Sequence, residues 1–256
     1  MTLDLTLAIE TARRAAEAGA RAALRRFRQP LAVEWKADRS PVTAADREAE
    51  AAILGEIRRT FPGHGILAEE CGESAGDGEN RWIVDPLDGT RGFSRGGAFW
   101  GPLVALEHRG EIVAGAMALP VLGETYWAGR GRGAFRNGEP IRLSRVDRLE
   151  NATLSLGELR PLLRIERGKG VESLIERVAS ARCYGDVAGC AQLLCGRADV
   201  WIEAGVRLWD LAALQVLVEE AGGRFTDFEG TRSLAHGQAL ASNALLHEAA
   251  LKILSP

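Results

Sequence analysis

Residues 82–90 read WIVDPLDGT, an apolar run that ends abruptly on two carboxylates three positions apart. Trp82 to Val84 has the character of a buried strand. Pro86 biases Asp85 toward an extended backbone and Gly89 permits a tight turn, so the chain must leave the core and bend while presenting Asp85 and Asp88 in one small volume. A second apolar run, Gly65 to Ala68, ends on Glu69 and Glu70. Neighbouring strand residues point to opposite faces, so only one of these two is expected to face the first pair, and the residues alone do not choose between them. Asp210, in LWDLAALQVLVEEAGG, is the next candidate, with an ordinary helix N-cap as its competing reading. Like charges about 4 Å apart cost roughly 4 kcal/mol per pair at an effective dielectric near 20, so such a cluster needs protons or cations. A plain Asp-Pro, Asp-Gly turn is the alternative for residues 85–90; the functional reading rests on several acids converging there.

An all-oxygen donor set suits magnesium, manganese or calcium rather than zinc. The four cysteines, Cys71, Cys183, Cys190 and Cys195, lack CxxC spacing and read as reduced, mostly buried thiols. Cys71 lies near the acids, whose field opposes a reactive thiolate. His64, His108, His236 and His247 have no close ligand spacing and are expected on the surface or in turns.

The rest of the chain frames these acids. An amphipathic helix is predicted from Leu3 to about Phe27, and a second begins at Thr43, where Asp46 completes a capping signature, and runs to Pro62. Strands are predicted at 103–107 and 112–119, and a hairpin over Asn137-Gly138 within 134–143. Residues 1–147 thus form an α+β half carrying the metal motifs. Residues 148–256 alternate strands with helices, an α/β half that supplies Asp210 and substrate contacts. The glycine-rich, acidic loop from Gly72 to Asn80 is a candidate mobile lid. A net charge of −3 argues against a nucleic-acid surface, and no signal peptide or membrane-length apolar run is visible, so a cytoplasmic location is expected.

Four motifs, PVTAAD (41–46), EE (69–70), WIVDPLDGT (82–90) and LWDLAA (208–213), occur in the order and approximate spacing of the inositol monophosphatase family, which the chain resembles over nearly its whole length. The resemblance implies a layered αβαβα sandwich of the inositol monophosphatase and fructose bisphosphatase type, a homodimer, sensitivity to lithium, and two or three Mg2+ ions, with Mn2+ as a substitute. By position, Glu69, Asp85, the Leu87 carbonyl, Asp88 and Asp210 resemble the metal ligands. Asp46 and Thr90 resemble the pair that helps activate the attacking water alongside Glu69, and the N–H groups of Gly89 and Thr90 the phosphate cradle. The leaving-group contact falls on Glu203, and Asp186 stands where inositol-specific members usually carry a small residue. KADRSPVTAADREAE, EECG and FWGPLVALEHRGEIVAGAMALPVLGE look more like the histidinol-phosphate phosphatases of this family. The implied activity is hydrolysis of a small alcohol phosphate, leaning to histidinol phosphate. Inositol-1-phosphate and 3′-phosphoadenosine 5′-phosphate stay open as substrates, as does a non-catalytic binding or regulatory protein on the same fold.

Overall fold

The computed structural model describes residues 3–30, 32–36 and 41–254; positions 37–40 of the KADRSP stretch lie outside them. Helix α1, Leu5–Arg26, is capped by Asp4, whose carboxylate accepts the Leu7 N–H at 3.0 Å. Its buried face is largely alanine, Ala8, Ala12, Ala15, Ala16 and Ala23, so it lies close against α2, Ala44–Thr60. A short pair, β1 (Glu34–Trp35) and β2 (Pro41–Val42), precedes α2.

Both helices cover one face of an eight-stranded sheet. Its strands are β3 (Gly65–Ala68), β4 (Gly72–Ser74), β5 (Asn80–Asp88), β6 (Gly101–His108), β7 (Glu111–Leu119), β8 (Glu124–Gly129), β9 (Gly133–Arg136) and β10 (Glu139–Pro140). They lie in the order β10-β9-β8-β7-β6-β5-β3-β4. The pairing is antiparallel except between β3 and β5, which run parallel and so release their C-terminal ends side by side. Helix α3, Thr90–Ser94, follows β5 directly.

The second sheet is built from β11 (Thr153–Leu156), β12 (Ser180–Cys183), β13 (Val200–Ala204), β14 (Arg224–Thr226) and β15 (Gln238–Ser242). Its strands lie in the order β12-β11-β13-β15-β14. Helices α4 (Leu159–Arg164), α5 (Gly168–Arg177) and α8 (His247–Leu254) cover its outer face, where Leu162, Val171, Leu174 and Ala250 meet Leu154, Val200 and Leu240. Between the sheets lie α6 (Asp186–Leu194) and α7 (Leu208–Glu220). There Leu211, Val216 and Leu217 join Ile83, Leu103 and Met117 from the first sheet and Trp201, Ala239 and Ala241 from the second. The layers are therefore helix, sheet, helix, sheet, helix.

This arrangement explains local sequence. Trp82 and Val84 face α1 and α2 while Ile83 faces the central layer, so β5 is apolar without alternation. Every residue of α7 from Leu211 to Val218 is buried, which removes any amphipathic stripe. Among the described residues no helix is long and apolar enough to cross a membrane.

Several expectations need correction. The Gly72–Asn80 segment is not open loop throughout: β4 pairs with β3, and the Asp77 carboxylate ties the following turn by accepting the N–H groups of Glu79 and Asn80. The thiols are free, but Cys71 and Cys183 are exposed, because one sits in the turn after β3 and the other ends an edge strand. His247 is fully buried between the hydroxyls of Thr226 and Ser242, and that burial pushes its imidazole down to about 4, so it stays neutral.

Because α7 packs against both sheets, Leu217→Ala is expected to lower the unfolding free energy by about 2–5 kcal/mol. The same change at exposed Leu122 is expected to leave it nearly unchanged. Denaturant titration of both variants checks this.

Candidate active site

Three elements bring the acids together. In its pairing with β6, β5 carries a bulge between Asp85, opposite Leu103, and Asp88, opposite Gly101. Pro86 falls within it, where no ladder N–H is required. On a regular strand residues i and i+3 face opposite ways; the extra residue of the bulge brings Asp85 and Asp88 to the same side. The Asp85 Oδ1 accepts the Leu87 N–H at 2.8 Å, which fixes the bend. Asp210 arrives from the first turn of α7. It is not the N-cap but the third helical residue, and its Oδ2 accepts the Arg207 N–H at 2.6 Å. One ligand oxygen from each of Asp85, Asp88 and Asp210 lies within 4.8 Å of the others.

Burial, with Glu69, Asp88 and Asp210 added as like charges, holds the Asp85 carboxyl well above the usual carboxylate range. Burial and the charges of Asp186, Asp210 and Glu203 do the same to Asp88. Burial raises Asp210 to about 6 despite its bond to Arg207. Such a set is repelled into holding protons unless a hard cation replaces them, and its donors are all oxygen, so the residues present fit magnesium or a similar ion.

Glu69 follows β3, beside the Asp85 end of β5, with its N–H bonded to the Val84 carbonyl at 3.1 Å. Its Oε1 lies 2.8 Å from the Lys36 ammonium, and Glu70 Oε1 lies 2.5 Å from the same atom. Both glutamates therefore converge on one point. Only Glu69 acts on the Asp85 carboxyl and lines the cleft, while Glu70 shares just the Lys36 contact, which both reach because β3 ends at Ala68 and residues 69–70 form a turn without strand periodicity. Burial works to lower the Lys36 pKa, but the two carboxylates prevail and raise it. Glu50 fixes this turn, accepting the N–H groups of Glu70 and Cys71, both at 2.9 Å. It lies one helical turn beyond Asp46 on the same face of α2, a spacing that signals it in the sequence.

Asp46 caps and connects. Its Oδ2 accepts both the N–H and the hydroxyl of Thr43 at 2.7 Å, and its Oδ1 lies 3.0 Å from the Thr90 hydroxyl. Burial raises its pKa against these bonds. The Thr90 hydroxyl also lies 2.9 Å from the Leu87 carbonyl. Gly89 opens α3 at φ 86°, with the Phe99 carbonyl only 2.7 Å and Asp186 Oδ2 3.2 Å from where a Cβ would stand. Any side chain there is both strained and obstructed.

Asp186 and Glu203 line a cavity of about 70 Å3 with Asp88, Asp210 and Glu158. Glu203 is buried rather than on a rim, and its Oε1 accepts the N–H groups of Glu158 and Ala204. Its carboxylate occupies the place of a side chain at Gly157, whose Cβ would fall 1.7 Å from Oε2. Burial lifts Glu203 to about 8 and, with Glu158 adding to it, Asp186 to about 6. Lys36 and Glu158 escaped sequence reasoning: Lys36 opens the KADRSPVTAADREAE segment but is assigned no role there, Glu158 belongs to no motif, and long-range packing brings both here. A wider cleft of about 1000 Å3 adjoins, running from Lys36 and Glu69 past Ala204–Leu208 to His236 and Gln238.

Comparison with known proteins agrees with this geometry. Residues 4–255 match the model of the inositol monophosphatase family. The chain is similar to the histidinol-phosphatase of Mycobacterium tuberculosis, 40% identical over 98% of both chains. It is also similar to the inositol-1-monophosphatase of Mesorhizobium japonicum, 36% identical over 88% of this chain and 86% of that one. The crystal structure of extragenic suppressor protein suhB from Bartonella henselae superposes with a TM-score of 0.89 at 32% identity, covering 97% of this chain and 98% of that one.

The raised carboxylates set a pH dependence. Their folded-state values lie above the ordinary ones, so the folded chain binds more protons than the unfolded chain and loses stability as pH rises through them. In chelator, the melting temperature is expected to fall between roughly pH 4 and 8, and Asp88→Asn is expected to flatten that fall. Thermal melts across the range check both.

Proposed function

This chain belongs to the inositol monophosphatase family, and from that premise we propose that it is a magnesium-dependent phosphatase whose substrate is histidinol phosphate. Membership makes it a metal-dependent phosphoric monoester hydrolase acting on a phosphorylated small molecule. The ion and the ester are the proposed parts, together with the homodimer implied by resemblance.

The observation that carries the ester is a surplus of carboxylates. Glu158, Asp186 and Glu203 line the same small cavity as Asp88 and Asp210, more negative charge than a neutral polyol can compensate. An amino alcohol with an ammonium group and an imidazole answers it, since unpaired buried charge penalises the wrong partner as strongly as pairing rewards the right one. The Mycobacterium tuberculosis relative supports the same choice. Inositol-1-phosphate is the second reading, favoured by the Mesorhizobium relative.

Glu69, Asp85, the Leu87 carbonyl, Asp88 and Asp210 would hold two or three magnesium ions, which would supply the charge that acidifies water and neutralises phosphoryl oxygens. Thr90 acts through its hydroxyl. With its proton committed to Asp46 or to the Leu87 carbonyl, it presents lone pairs that accept from the attacking water and aim it. Asp46, anchored on Thr43, keeps that hydroxyl from turning away. The backbone N–H groups of Gly89 and Thr90 cradle the phosphate, and the absent side chain at Gly89 lets the backbone approach it.

Phosphate release with magnesium, measured in parallel on histidinol phosphate, inositol-1-phosphate and 3′-phosphoadenosine 5′-phosphate, tests the reading. Histidinol phosphate is expected to be preferred, with lithium inhibitory, and Asp88→Asn to cut kcat roughly a hundredfold or more. Preference for another ester would overturn the substrate, and no release from any of them would favour a binding protein on this fold.

A further inference from the structure

The wide cleft and the acid cavity share the wall formed by Ala204, Gly205 and Val206. That wall leads from the acids into the cleft that His236 lines. The imidazole there is held from two sides. The carbonyl of the next residue, Gly237, accepts the N–H groups of Gly205 at 2.8 Å and Val206 at 3.2 Å. The approach is so close that a Cβ at Gly237 would lie 2.6 Å from the Val206 carbonyl oxygen. On the other side, His236 Nδ1 lies 2.7 Å from Oδ2 of Asp227, which is fully buried. The second oxygen of Asp227 is taken by the N–H groups of Glu229 at 2.9 Å and Thr231 at 2.8 Å.

A carboxylate fixed in this way can only accept, so in the neutral form of the His236 ring the hydrogen sits on Nδ1 and Nε2 keeps a lone pair. The side chain is 54% exposed and lines the cleft. We propose that His236 is a specificity-determining residue, its Nε2 accepting a hydrogen bond from an N–H or ammonium group at the far end of the leaving alcohol, with Asp227 as the positioning residue that sets its tautomer. The assignment rests on the reading of the substrate as an amino alcohol phosphate. It adds to the acid cavity an acceptor on the turn before β15, one that discriminates by direction.

The test separates KM from kcat on two esters, histidinol phosphate and ethyl phosphate, whose leaving group offers no donor. His236→Ala is expected to raise the KM for histidinol phosphate roughly tenfold, to hold kcat within about twofold, and to leave ethyl phosphate unaffected. Asp227→Asn keeps the ring. Its amide oxygen is required by Glu229 and Thr231, so its NH2 faces Nδ1 and drives the hydrogen to Nε2; the same rise in KM is expected with an intact imidazole. An unchanged KM for histidinol phosphate in His236→Ala, or an equal loss on ethyl phosphate, overturns the assignment. Should the wild-type protein prefer another ester, the substrate reading fails by itself. The same variants on that ester then decide: a KM rise confined to it upholds the contact at His236, and no rise overturns it.

Discussion

Repulsion among carboxylates is the constraint around which this molecule is organised. Asp85, Asp88 and Asp210 bring ligand oxygens within 4.8 Å of one another, and no combination of them is comfortable when fully ionised and dry. A flexible chain would simply let them separate. Two of the three are tied by short bonds to neighbouring amides, Asp85 to Leu87 and Asp210 to Arg207. The elements that carry them are anchored in buried layers on either side. The cost of assembling the charges is thus met by packing remote from them, and what remains is a site with a strong demand for cations.

The same repulsion divides labour among the acids. Asp46 is buried too, but it is satisfied by three donor groups from Thr43 and Thr90 and belongs to the helix as much as to the site. Glu50 is likewise a structural acceptor, spent on two amides of the turn that presents Glu69. Glu203 accepts two amides as well, but burial leaves it and Asp186 inclined to hold a proton or to meet a cation.

How much of this could be read beforehand depends on how local the cause is. The acids at the ends of β3 and β5, and the capping of α2 by Thr43 and Asp46, follow from adjacent residues, and the structure shows them where the sequence suggested. The layered sandwich came from the resemblance of four motifs, not from periodicity, since α7 has no polar face and β15, QALAS, has no β-branched or aromatic residue to mark a strand. The convergence of Glu69 and Glu70 on Lys36 depends on where β3 stops, one residue before the alternation rule would separate them. Glu158 and the pairing of His236 with Asp227 depend on segments distant in the chain or on the geometry of a turn, and no spacing announces either.

The position of α7 has a consequence for how the protein breathes. Local opening in a folded chain is confined to parts with little buried surface, while central elements separate only when the whole domain does. Asp210 rides on the helix wedged between the two sheets, and Asp85 and Asp88 on a strand covered on both faces. The acids therefore have no private way to escape one another. Opening at the edge strand β4 would therefore leave these three acids in place, because their spacing is set by the packed layers and not by the margins of the sheet.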